Sequence, residues 1–259
     1  MMRGVRKAVR RRGHRLLARV CGTIVRVDTL DELVALTFDD GPDPESTPQL
    51  LDLLARHGAR ATFFMIGERA AAHPELVSRV ASQGHAIANH SWNHPRFVNL
   101  SASERRNQVE RCEWALAPYG VRMFRAPYGI QSVASHLSLF AAGFPSIGWN
   151  VDLDDWMPHD SGWFVQRLLQ VNTRGSIVLL HDSLYRARHP EAADRKPLFD
   201  ALDTALGMLR PRVEFVTVPE LLKSGRAVKA AWIRHDDSPR RSAGQATAIP
   251  GTSNHSGVR

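Results

Sequence analysis

Leu33-Val34-Ala35-Leu36-Thr37-Phe38-Asp39-Asp40-Gly41-Pro42 is the stretch on which the reading of this chain turns. The apolar run before the acids reads as a buried strand over about 33–38. It ends on two adjacent carboxylates, and Gly-Pro then turns the chain. Adjacent carboxylates repel, so a strand that ends on a pair calls for a counter-charge, either a metal ion or an arginine. Neighbouring side chains of a strand point to opposite faces. The two acids can therefore do different work, one holding a metal and the other taking a proton. An isolated Asp-Asp-Gly is more often a solvated acidic turn, so the rest of the chain has to decide.

Working outward, the same kind of strand recurs. Ala61 to Ile66, His85 to Ala88, Val121 to Phe124, Phe144 to Trp149, Ser176 to Leu180 and residues 213–216 are short apolar runs. Helical patterns separate them. One opens with Thr47 as N-cap and Pro48 in the first turn and stops at Gly58. Another runs from Pro74 to Gln83. A third begins with the capping box Ser101/Glu104 and reaches Ala117. Residues 132–142, 161–172, 197–209 and 219–223 supply the others. Strand and helix alternate about seven times, and continuously apolar strands indicate a parallel sheet covered by helices. The regular spacing favours an α/β barrel, in which the site gathers at the C-terminal ends of the strands.

The 259 residues suit one large domain. No uninterrupted run of 18 apolar residues is present, so no transmembrane span is expected. Charge is unevenly placed: residues 1–26 hold nine Lys/Arg and no acid, residues 223–259 hold seven against two, and the overall +8 leaves residues 27–222 at −6. An acidic middle argues against a specific nucleic-acid-binding core. The expected organisation is a basic N-terminal arm over 1–27, one catalytic domain over 28–225 and a disordered basic tail over 226–259. The basic ends could touch anionic membrane or polymer. Cys21, outside the expected core, and Cys112, in a helix as a small buried residue, imply no disulfide. Leu16 to Val25 is a poor signal peptide, broken by Arg19, so a cytoplasmic monomer is expected, with twin-arginine export as the alternative.

The polar residues just after each strand form a chemical inventory. His90 and His94 are an i, i+4 pair that would share a face on a helical turn. Two imidazoles and one carboxylate make a three-ligand site with an open position, suited to zinc. Arg125 can pair with the acid that is not a ligand, or make a structural salt bridge. His181 emerges from a buried strand, and a carboxylate such as Asp152 could fix its tautomer and raise its pKa, making a general acid. Trp92, Tyr128 and Trp156 lie in the adjoining loops, where aromatics can stack on sugar rings. Residues 183–196 are polar and long enough to be a functional loop, with Tyr185, Arg186, Arg188, His189 and Arg195 among them.

Taken together, Thr37-Phe38-Asp39-Asp40-Gly41, His90-Ser91-x-x-His94, Arg125-x-Pro127-Tyr128, Asp152-x-x-Asp155-Trp156 and Leu179-x-His181 resemble the five ordered motifs of the polysaccharide deacetylase family, over roughly residues 33–222. The resemblance implies a distorted (β/α)7 barrel and a metal held by Asp40, His90 and His94, usually zinc, sometimes cobalt or another divalent ion. It implies Asp39 as general base, His181 as the acid that protonates the leaving amine, Arg125 orienting Asp39 and Asp152 tuning His181. The backbone N–H of Tyr128 would join the metal at the oxyanion, and Leu179 and Trp156 would line the pocket for the acetyl methyl. The expected reaction removes N-acetyl groups from an N-acetylglucosamine-containing oligo- or polysaccharide of chitooligosaccharide or peptidoglycan type. A small N-acetylated metabolite is the alternative substrate. A silent glycan-binding module and a cyclic imide hydrolase fit less well, because no motif residue is missing.

Overall fold

The computed structural model describes residues 21–230. Nine strands and eight α-helices follow in order: β1 Thr23–Asp28, β2 Leu33–Asp39, α1 Ser46–Arg56, β3 Ala61–Met65, α2 Gly67–Ala72, α3 Pro74–Ser82, β4 Ala86–Asn89, α4 Ala102–Leu116, β5 Gly120–Phe124, α5 Val133–Ala141, β6 Val151–Asp152, α6 Ser161–Leu169, β7 Ser176–His181, α7 Lys196–Leu209, β8 Glu214–Phe215, α8 Val218–Leu221 and β9 Arg226–Ala230. The sheet order is β5-β4-β3-β2-β7-β1-β9, with β6 on β7 and β8 on β2. The pairs among β2, β3, β4, β5 and β7 are parallel. Residues 145–148 reach from β5 to β1: the Ile147 N–H donates to the Phe124 carbonyl at 2.8 Å, the Ile24 N–H to that of Ser146 at 2.9 Å, and the Gly148 N–H to that of Ile24 at 2.7 Å. The sheet thereby curls into the distorted (β/α)7 barrel.

Alternation along the strands separates two cores. Val34, Leu36 and Phe38 of β2, Phe63 and Met65 of β3, Ile87 of β4, and Val178 and Leu180 of β7 point outward, against Leu50, Leu53 and Leu54 of α1 and Leu202 and Leu206 of α7. Ala35, Phe64, Ala88, Ile177 and Leu179 point inward with Trp149. Because the side-chain period is two, the inward set continues to Asp39 after Ala35 and Thr37, to His90 after Ala88, and to His181 after Leu179. Asp39 and His181 are register partners on neighbouring strands. The hydrophobic pattern of the barrel thus delivers a carboxylate and two imidazoles to one end of its interior.

Several expectations are corrected. The boundary after residue 27 cuts a strand, and the expected tail begins with one: Thr23–Asp28 and Arg226–Ala230 pair antiparallel, Thr23 opposite Ala230 and Asp28 opposite Arg226. Neither segment is arm or tail; the expected arm over 1–20 and tail over 231–259 lie outside the described residues. Phe144 to Trp149 makes isolated bridges, and the paired strand is Val151–Asp152. Thr47 is not an N-cap. Its hydroxyl accepts from the Asp43 N–H at 2.8 Å and donates to Asp182 Oδ2, while Glu45 stands at the cap with no side-chain bond. The Ser101/Glu104 capping box is present. Cys21 is buried, as is Cys112, and both are free thiols. Among the described residues no helix is long and apolar enough to cross a membrane.

Candidate active site

A cavity of about 440 Å³ opens at the C-terminal ends of the strands, and Asp39, Asp40, His90, His94 and His181 all reach it. Gly41 turns the chain immediately after the two acids, and a Cβ there would collide with the Asp182 carboxylate. Asp40 (φ 77°), His94 (58°), Tyr128 (61°), Asp154 (48°) and Arg186 (53°) are left-handed non-glycine residues that line the cavity, and Ser91 (71°) lies between the two histidines. Left-handed backbone in such residues is uncommon and gathers at functional sites. Here the turns redirect side chains that regular strands could not bring together.

Asp40, His90 and His94 form a buried cluster whose ligand atoms lie within 4.8 Å of one another. Asp40 Oδ1 stands 3.5 Å from His90 Nε2 and 3.2 Å from His94 Nε2, and this buried oxygen has no hydrogen-bond partner. Leaving a buried carboxylate oxygen unpaired is expensive, and a cation among the three atoms removes the expense. The arrangement therefore fits a divalent metal. His90 Nδ1 sits 2.9 Å from the Arg125 carbonyl, which fixes its tautomer and leaves Nε2 as the ligand atom. Burial lowers the His94 pKa even against the attraction of Asp40, so the imidazole is in its neutral, ligating form. The two histidines share no helical turn: His90 follows β4 directly, and the chain then turns through Ser91, whose Oγ accepts the His94 N–H at 3.1 Å.

Arg125, 1% exposed, fans its donors across the barrel interior. Nη1 donates to Asp39 Oδ1 at 2.6 Å and to Thr37 Oγ1 at 2.7 Å, Nη2 to the Gly148 carbonyl at 2.9 Å, and Nε to that of Ile147 at 3.3 Å. The guanidinium lies 4.0 Å from the Phe64 ring centre. Asp39 is thus held by one oxygen, and its Oδ2 faces the metal ligands, 3.8 Å from His90 Nε2.

The acid that holds His181 is Asp155, correcting the expectation for Asp152. Asp155 Oδ1 lies 2.8 Å from His181 Nδ1, and Oδ2 accepts the His181 N–H at 2.8 Å. Asp152 Oδ1 instead accepts the Asp154 N–H at 3.0 Å, and Asp152 lines the cavity. Burial, with the charges of Asp154 and Asp155, raises the Asp152 pKa to about 6. Arg195 completes the other arrangement. Its Nη2 donates to Asp155 Oδ2 and, at 3.0 Å, to the His181 carbonyl, while Nη1 donates to the Asp155 carbonyl at 2.8 Å. Burial alone would lower the His181 pKa, but the Asp155 charge and hydrogen bond outweigh it, helped by Asp40 and Asp39, and raise it to about 9.

Leu179, Trp156 and Tyr128 line the cavity, together with Trp149 and Tyr185. Trp92 is elsewhere, under the Arg111 guanidinium at 4.0 Å. Of the residues whose parts were missed, Asp155 stood in its motif beside Trp156, whereas Arg195 and Tyr185 carried only the signal of a long polar loop. The Tyr185 N–H donates to Asp40 Oδ2 at 2.8 Å, fixing the ligand that the histidines share.

Comparison with known proteins identifies the family. The polysaccharide deacetylase family model matches residues 26–146. A peptidoglycan-N-acetylglucosamine deacetylase of Bacillus cereus is 35% identical over 201 residues, 76% of this chain and 70% of the relative. A chitooligosaccharide deacetylase of Sinorhizobium fredii is 42% identical over 168 residues, 62% of this chain and 76% of the relative. A solved peptidoglycan N-acetylglucosamine deacetylase superposes with a TM-score of 0.70 at 32% identity, over 79% of this chain and 94% of that one. Alike in sequence over most of the barrel and in fold over nearly all of a solved relative, the chain belongs to the polysaccharide deacetylase family.

Proposed function

We propose that the chain hydrolyses the N-acetyl group of N-acetylglucosamine residues in an oligo- or polysaccharide, releasing acetate and leaving a free amine. The observation that carries this reading is the placing of Asp39 and His181 as register partners flanking the Asp40–His90–His94 cluster. One is a carboxylate with an oxygen free of its arginine; the other is an imidazole kept protonated by Asp155. A divalent metal bound by the cluster supplies Lewis-acid polarisation of the acetamide carbonyl and of the attacking water. Two imidazoles with one carboxylate favour zinc, and cobalt fits the same donors.

Asp39 Oδ2 takes a proton from water as the oxygen adds to the acetamide carbon. Arg125 keeps that carboxylate aimed through its hydrogen bond to Oδ1. His181 then gives its proton to the amide nitrogen, the C–N bond breaks, and acetate departs. The Tyr128 N–H is assigned to the oxyanion, and Leu179 and Trp156 to the acetyl methyl. Asp155, through His181 Nδ1, is a positioning residue, and Asp152 is a wall of the sugar site.

The test is acetate release, with mass spectrometry of the products, from chitin oligomers, peptidoglycan fragments and monomeric N-acetylhexosamines. Zinc-reconstituted protein should release acetate from the oligomers, chelated protein should not, and Asp39→Asn should bind zinc without turnover. Release from monomers alone would replace the glycan by a small acetylated metabolite.

A further inference from the structure

The rim of the cavity carries cations for which the deacetylation step has no use. Arg186 and Arg188 line the cavity and are exposed. Neither has an ion-pair or hydrogen-bond partner among the described residues. Their segment is tied to the metal ligands. Tyr185 donates its N–H to Asp40, its ring centre lies 5.0 Å from that of His94, and the Arg186 guanidinium sits 5.3 Å over the Tyr185 ring. Arg186 also holds a left-handed φ of 53°, so the backbone that presents it is not an ordinary extended loop. On the other side of His94 the Tyr128 ring stands 4.4 Å away, with the Arg96 guanidinium 5.3 Å over it. Guanidinium groups thus cover both rings that wall His94. The interior they border is acidic, with Asp39, Asp40, Asp152 and Asp154 on its lining.

An acidic interior under a basic rim sorts substrates by charge. The neutral acetamide enters, and an anionic group on the same glycan stays at the rim. Guanidinium groups recognise carboxylate and phosphate with two parallel hydrogen bonds, and stacking on a tyrosine holds the fork in place for this. We propose that Arg186 and Arg188 form a subsite for a carboxylate or phosphate carried by the glycan beside the N-acetylated sugar under attack. The preferred substrate is then an anionic glycan, not a neutral N-acetylglucosamine oligomer. This inference rests on the deacetylase reading above.

Four soluble oligosaccharides of equal length test it: a neutral chitin oligomer, a fragment whose alternate sugars carry a lactyl carboxylate, the same fragment with those carboxylates methyl-esterified, and a chitin oligomer bearing a terminal phosphate. For the wild type, KM should be about tenfold lower for the acid or the phosphate than for the neutral and esterified compounds, the size expected of a charge-assisted bidentate contact. Which of the two anions shows the gain identifies its source. Arg186→Gln/Arg188→Gln should erase the gain and leave turnover of the neutral oligomer unchanged. Calorimetry gives a readout independent of turnover: in an Asp39→Asn background, the same pair of substitutions should weaken binding of the anionic fragment about tenfold and leave the ester unaffected. Equal wild-type KM values for acid and ester, or equal losses on neutral and anionic compounds, would overturn the subsite. If no oligomer releases acetate, the deacetylase reading fails, while the calorimetric comparison still decides on the arginines.

Discussion

On one wall of the cavity Arg125 donates directly to Asp39; on the other Arg195 donates to Asp155, and Asp155 holds His181. Both arginines are buried, and each makes an ion pair with a buried aspartate. For Asp155, burial pushes the carboxyl up, but the charges of His181 and Arg195 outweigh it and bring it below the usual range. The difference lies in what faces the substrate. Where the carboxylate itself reaches the cavity, the ion pair presents a proton acceptor. Where an imidazole is interposed, the same ion pair presents a proton donor. In the proposed reaction, one arginine–aspartate unit therefore serves both halves of the acid–base chemistry, according to whether it acts at first hand or through a histidine.

Substitutions can break this contrast, and the largest effect is expected at Asp39. Asp39→Asn should lower acetate release on the order of 10³-fold or more, with zinc affinity within about twofold of wild type, because removing a general base costs roughly 10²–10⁴. Loss of zinc in this variant would show that Asp39 is a ligand and that the two acids share one role. His181→Gln should cost about 10²-fold and remove the alkaline limb of the kcat profile. That limb exists because the acid form of His181 disappears as pH rises.

Asp155→Asn sharpens the comparison, with an expected loss of about 10–100-fold, the range for a group that acts through another. The alkaline limb should also move to lower pH, because the charge that raises His181 is gone. An NMR titration of metal-free protein should find the wild-type imidazole near pH 9. Its folded pKa lies above the unfolded value of 6.5, so its contribution to stability is full below pH 6.5 and is lost as pH rises through about 9. Urea midpoints across that window should fall for wild type and stay flatter for Asp155→Asn. The smallest effect is expected for Arg125→Lys. It keeps the charge beside Asp39 but cannot reach Thr37, Ile147 and Gly148 together, so turnover should drop roughly tenfold and stability by about 2 kcal/mol.

The strands that carry the site were legible because each is buried on both faces. Val34 to Phe38 and Ile177 to Leu180 can hardly be read otherwise, and alternation then fixes which side Asp39 and His181 take. β1 and β9 were not legible. Thr23-Ile24-Val25-Arg26-Val27-Asp28 carries a cation among its apolar residues, and Arg226-Ala227-Val228-Lys229-Ala230 is a polar edge strand. Each becomes a strand by pairing with the other across some 200 residues of sequence, a contact that no local window contains. In the site, a three-ligand set of one acid and two histidines could be read from residue types, because few arrangements suit an Asp-Asp near two histidines; that the acid is Asp40 came from the family resemblance. The partner of His181 could not. Asp152 and Asp155 are equivalent on chemistry alone, and what separates them is the left-handed turn at Asp154, which carries Asp155 under the imidazole and leaves Asp152 on the wall.

The pairing of Thr23 with Ala230 has a consequence for how this enzyme can be built into larger assemblies. The first and last strands of the described residues lie side by side, and Val25 and Ala230 are themselves part of the cavity wall. A module joined directly before Thr23 or after Ala230 would be tethered at the substrate doorway. A short fusion linker would act as a selectivity filter, admitting or obstructing long polymers without altering a single catalytic side chain.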